Sequence, residues 1–182
     1  MKLTAMVLMA AMGGSVCAAQ TRNVRVCMDS GNDVRARSAQ VLASKIFAGI
    51  RVGIEWSKES YCPSSPDVIK VSLSYTTPNT RFPNALAYAL PYEGTHIEVF
   101  YDRLKQRAEV GRVPQLLAHV IVHEVTHILQ GISRHSVTGI MKATWDSDDF
   151  FEIRRDALDF TSLDVELIYQ GVDARTSRAR RL

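Results

Sequence analysis

The chain reads as an α+β domain: a mixed, twisted sheet of about five strands, one an antiparallel edge, packed on one long helix and followed by a small helical C-terminal part. Three observations predict this. Short segments alternating apolar with polar residues recur from Asn23 to Tyr101. The segment PQLLAHVIVHEVTHILQ is apolar almost all round, as a buried helix must be. Two further helical segments, each opening on a capping residue, come after it with no long alternating run among them.

NVRVCMDSG alternates and stops at Ser30 and Gly31, a short strand and a turn. VRARSAQVLASKIFAGI places Val34, Val41, Leu42, Ile46 and Ile50 at helical spacing, with Asp33 as N-cap. RVGIEW is a second strand, SKESYCPSSPD a polar loop, and VIKVSLSY a third, strictly alternating strand. The stretch ALAYALPYEGTHIEVFYDRL divides at Pro91 and Gly94 into strands 85–90 and 96–101. The first of these, Ala85, Leu86, Ala87, Tyr88, Ala89 and Leu90, lies between prolines and suits a sheet edge. The long helix starts at Pro114 in its first turn and stops at Gly131. DSDDFFEIRRDALDF is a helix capped by Asp146, and TSLDVELIYQG a last one capped by Thr161 and stopped by Gly171.

The N-terminus, MKLTAMVLMAAMGGSVCAAQ, carries Lys2, a short apolar run, a Gly-Gly break and small residues at Ala18 and Ala19, the pattern of a cleaved secretory signal over residues 1–19. The run is far shorter than the ~20 residues of a membrane span, so no stable membrane insertion is expected. Val16 before Cys17 argues against a lipid anchor. A single domain, 20–173, is expected next, then an Arg-rich, disordered tail, 174–182. An exported protein leaves Cys27 and Cys62 as a pair in an oxidising compartment, and they are expected to be bridged. The formal charge of +3 falls to about −2 without Lys2 and the tail arginines Arg175, Arg178, Arg180 and Arg181, so no nucleic-acid face is implied.

HEVTHILQGISRH, 123–135, holds the chemistry. On a helix, His123 and His127 lie about 40° apart around the axis and roughly 6 Å along it, so both imidazoles reach one ion. A catalytic zinc takes three protein ligands and keeps a fourth position for water, whose pKa it lowers toward ~7. Glu124 stands beside the first histidine, placed to accept that water's proton. His119 is excluded, because His119 and His127 would sit about 12 Å apart along the axis. His119 reads as a core histidine, and His96 as a rim residue. His135 is better placed, since the chain turns back after Gly131. A carboxylate from the next helix, Asp149 or Glu152, is the rival third ligand. Without a metal, these histidines would be hydrogen-bonded polar groups of the core, costly to bury unless partnered.

With MKATW following, the segment resembles the metzincin clan of zinc metallopeptidases, whose pattern is H-E-x-x-H-x-x-G-x-x-H and then a methionine-containing turn. This chain has one extra residue before the glycine and one after it, as a divergent branch with a longer loop would. The resemblance implies a zincin-like fold with His123, His127 and His135 as ligands of one Zn²⁺, Glu124 as base, Gly131 as pivot and Met141 as the Met-turn residue. LAYALPYEGTHIEVFYD is similar to the edge and following strand of matrix metalloproteinases. That similarity implies a substrate-binding strand at Ala85 to Leu90 and a pocket wall at Ala143, Thr144 and Trp145. The implied function is a secreted or periplasmic zinc endopeptidase acting on peptides or proteins. From another class, the alternative is a zinc-stapled binding module whose fourth ligand comes from Asp146, Asp148 or Asp149.

Overall fold

A computed structural model describes residues 22–179 and 181, apart from 64, 79, 81, 110 and 156. The expected signal, 1–19, lies outside the described residues. In chain order the elements are β1 (Arg22–Met28), α1 (Val34–Gly49), β2 (Val52–Ser57), β3 (Val68–Ser74), β4 (Ala87–Ala89), β5 (His96–Phe100), α2 (Tyr101–Arg107), α3 (Val113–Gln130), α4 (Ser147–Arg155) and α5 (Ser162–Ala179). A 3-10 turn, Glu59–Tyr61, precedes Cys62.

The five strands form one sheet in the order β2-β1-β3-β5-β4. β1 is parallel to β2 and β3, with Val26 opposite Trp56 and Ile69, and β3 is parallel to β5, with Val71 opposite Ile97. β4 runs antiparallel to β5 and closes one edge, as expected. It is shorter than 85–90, although the Leu86 carbonyl still accepts from the Phe100 amide and the Leu90 amide donates to the His96 carbonyl. α1 and α3 pack together, and their buried side chains share one core with the sheet valines and isoleucines.

Several expectations are corrected. α1 does not bury Val34 or Val41, which are 63% and 70% exposed; its inner face is Ala36, Ala39, Ala43 and Phe47. Small alanines let the backbone of α1 come close to α3, which outweighs burying two valines. Asp33 does cap the helix, accepting from the Arg35 amide at 2.8 Å. The last strand ends at Phe100, because Tyr101 opens α2 directly. No side chain caps this helix. Tyr101 and Leu104, both fully buried, anchor it, and the Tyr101 hydroxyl donates to Asp33 at 2.8 Å. α4 ends at Arg155 rather than Phe160.

Gly171 does not stop α5, which continues through the stretch expected as a disordered tail to Ala179. A Cβ at Gly171 would overlap the Leu129 carbonyl oxygen, so the glycine serves close approach of α5 to α3, not chain termination. Arg175 is buried within that stretch and donates to the carbonyls of Gly94 (2.8 Å) and Pro66 (3.2 Å). These contacts tie the tail to the loops beside the sheet. Cys27 and Cys62 form a disulfide with Cα atoms 5.8 Å apart. Among the described residues no helix is long and apolar enough to cross a membrane.

Candidate metal centre

α3 is buried along nearly its whole length, so any polar side chain on it needs a partner. It ends where the sequence places the stop: Gly131 is in the left-handed conformation at φ 67°, and its amide donates to the His127 carbonyl at 2.9 Å. The chain then turns back and presents His135 to the helix. The ring centroids of His135 lie 5.4 Å from His123 and 4.9 Å from His127. One ligand atom from each of the three lies within 4.8 Å of the others, a group that could hold a metal ion.

Hydrogen bonding fixes which nitrogens face the centre. His123 Nδ1 is 2.8 Å from the Ile140 carbonyl and His127 Nδ1 is 3.2 Å from the Ile132 carbonyl. A carbonyl only accepts, so each Nδ1 carries the hydrogen and each neutral ring turns the lone pair of Nε2 inward. The two Nε2 atoms are 3.0 Å apart. Two lone pairs at that distance repel unless a cation or a proton lies between them. Burial works against the proton, pushing the His123 pKa down to about 4 and lowering those of His127 and His135. The donor set of three neutral imidazoles suits Zn²⁺.

Glu124, also buried, faces β4: burial raises its pKa to about 8, offset in part by a hydrogen bond from the Ala89 amide. It is therefore a carboxyl group poised to hold or release a proton near neutral pH. A cleft of about 440 Å³ joins these parts. The strand residues Ala85, Leu86, Ala87, Tyr88 and Ala89 form one wall, the three histidines and Glu124 the floor, and Ala143, Thr144 and Trp145 the other wall. The Trp145 ring stands perpendicular to that of His123, centroids 5.8 Å apart. Leu90 lies just past the strand and is partly exposed.

Met141 is fully buried in the turn between His135 and α4. Its carbonyl accepts from the Ser136 amide at 2.8 Å, and the preceding carbonyl, of Ile140, is the one that orients His123. His119 is a satisfied core group, its Nδ1 2.8 Å from the Gln115 carbonyl and its Nε2 accepting from the Leu158 amide at 3.2 Å. His96 is exposed beside Glu93 and Thr95. Neither joins the three histidines among the described residues, and neither do Asp146, Asp148, Asp149 or Glu152. Asp146 and Asp149 cap α4 reciprocally, Asp146 accepting from the amides of Asp148 and Asp149 while Asp149 accepts from the amide of Asp146. Both also bind the Lys142 ammonium.

Sequence reasoning missed the carbonyls of Ile132 and Ile140 and the Ala89 amide, because backbone partners leave no residue-type signal. It also missed Asp164, although the spacing T-S-L-D from Thr161 is a capping-box pattern and Asp164 does cap α5 with Thr161.

No protein-family model matches the chain, and no curated protein matches it. Solved structures do match. One is the crystal structure of archaemetzincin from Methanopyrus kandleri, with a TM-score of 0.55 and 14% sequence identity over 87% of this chain and 99% of that one. The likeness is one of fold, and it supports a zincin-like architecture for this mixed sheet and its helices.

Proposed function

We propose that the chain is a zinc-dependent endopeptidase, exported by its N-terminal segment, in which His123, His127 and His135 hold the metal and Glu124 moves the protons. The observation that carries this reading is the facing pair of Nε2 lone pairs, 3.0 Å apart at the floor of an open cleft, with a third imidazole beside them. The fold likeness to archaemetzincin, whose name places it among the metzincins, supports it. The Cys27–Cys62 disulfide agrees with export.

When bound, zinc supplies Lewis acidity, polarising a peptide carbonyl and lowering the pKa of water toward ~7. The rest of the chemistry belongs to the chain. Among the described residues β4 is paired on one side only, and its ladder engages Leu86 and Leu90, so by alternation the backbone groups of Ala87 and the carbonyl of Ala89 point away from β5 and are open to a partner, the Ala89 amide being taken by Glu124. An extended peptide pairs with them and crosses the floor of the cleft. Glu124 takes the proton of the attacking water on its carboxylate and returns it to the departing amine nitrogen. Trp145 and its two neighbours flank the residue after the cleaved bond. Met141 fills the turn beneath the ligands without binding the metal itself.

Glu124→Gln keeps the shape of the side chain and removes the base. Peptide hydrolysis is expected to fall by about 10²–10⁴-fold with zinc still bound, measured on a mixed peptide substrate beside the metal content of the same sample. Wild-type turnover in the zinc-loaded variant would rule the mechanism out.

A further inference from the structure

His135 differs from the other two histidines. Each of those has its Nδ1–H on a backbone carbonyl, whereas no hydrogen bond holds the His135 ring among the described residues, and the residue is exposed. Something else must set its position, since a metal ligand on an untethered loop weakens binding by the cost of ordering it.

The residues on either side of it supply the tether. Arg134 donates to Asp164 Oδ1 at 2.6 Å and to the Ser136 hydroxyl at 3.1 Å, and that hydroxyl donates to Asp164 at 2.8 and 2.9 Å. Asp164 is fully buried on α5 and is held from its own side by the Thr161 amide (3.0 Å) and hydroxyl (2.6 Å). The carboxylate thus grips both neighbours of His135 and fixes them to a helix packed on α3, the helix that carries the other two ligands. A charge buried this deeply is tolerated only when its hydrogen bonds are met, which makes the clasp stiff.

We propose that Asp164 is the positioning residue of the third metal ligand, acting through Arg134 and Ser136 to hold His135 over the floor of the cleft. The proposal rests on the three-histidine site proposed above.

A double-mutant cycle on the full-length protein tests it, reading zinc affinity by competition with a chromophoric chelator. Asp164→Asn is expected to weaken zinc binding about 10–100-fold in the otherwise wild-type chain. In a His135→Ala background the same substitution is expected to change nothing further, because the ligand it positions is gone. An equal factor in both backgrounds, or none in the wild type, would overturn the proposal. If Asp164→Asn does not fold, Ser136→Ala completes the same cycle, since it removes the Ser136 arm of the clasp, leaves the Thr161–Asp164 cap intact, and should give a smaller loss in the wild type and none in the His135→Ala background. Thr161→Ala removes only the cap hydroxyl and keeps both clasp partners, so zinc affinity should fall by clearly less than in Asp164→Asn; a loss matching that of Asp164→Asn would assign the effect to the cap instead. A His135→Ala protein that binds zinc as tightly as wild type would remove the three-histidine reading itself and the proposal with it.

Discussion

At the scale of single residues, the centre combines groups whose burial works in opposite directions. His123 is kept neutral by burial, with a pKa of about 4, while Glu124 is kept protonated, with a pKa of about 8 in the metal-free protein. Between pH 4 and 6.5 the folded state binds fewer protons than the unfolded one at His123, so that group adds stability as pH rises. Between pH 4.5 and 8 the folded state binds more at Glu124, so that group subtracts stability as pH rises. The two oppose each other, and His119, His127 and His135, whose pKa values burial also lowers, add to the His123 side with a tail just above pH 6.5. Glu124→Gln isolates the Glu124 contribution: between pH 6.5 and 8 the stability of the metal-free wild type is expected to fall relative to that of the variant by up to about 2 kcal/mol. Zinc uptake at pH 7 should release close to one proton more in the wild type than in Glu124→Gln, since the three imidazoles are already neutral and any proton lost by metal-bound water is common to both proteins. Titration calorimetry in buffers of different ionisation enthalpy reads this number directly. Equal proton release in both proteins would mean that Glu124 is already ionised before the metal arrives.

At the scale of elements, the sequence made legible what depends on side-chain type and spacing. His123, Glu124 and His127 fall together from helical periodicity, Gly131 ends the helix from its φ, and the prolines beside Ala85 to Leu90 mark the edge. What stayed hidden depends on tertiary approach. Gly171 carries the same local signature as a C-cap glycine, and only the position of Leu129 shows that it is a contact point inside α5. The buried face of α1 follows its alanines because proximity to α3 matters more there than hydrophobicity. α2 has no capping residue to announce it. Gly171→Ala tests this: its Cβ must push α5 away from α3, costing about 1–3 kcal/mol as an overpacked contact, even though alanine is the better helix former. Urea unfolding is the measurement. A gain in stability would show that the glycine is a poor helix residue with no packing duty.

At the scale of the whole molecule, the sheet edge, the long helix and the segment between it and α4 each contribute one side of a single cleft. In the proposed reading β4 offers a peptide a strand to pair with, α3 carries two of the three clustered histidines and Glu124, and the segment before the Met141 turn brings the third. The centre is thus assembled from segments far apart in sequence, and its integrity reports on the fold as a whole. The grouping of the three histidines follows from the motif and the turn after Gly131. The Asp164 clasp does not, because it joins residues 28 positions apart through side chains that also suit a solvated surface. The central claim is that three histidines, and no carboxylate, hold one zinc whose remaining position is open to substrate. A crystal structure of the zinc-loaded protein tests it most directly. Nε2 atoms of His123, His127 and His135 are expected about 2.0–2.1 Å from the ion, with a non-protein oxygen in the fourth position. A carboxylate of Asp149 or Glu152 in place of His135, or a fourth protein ligand closing the shell, would contradict the account.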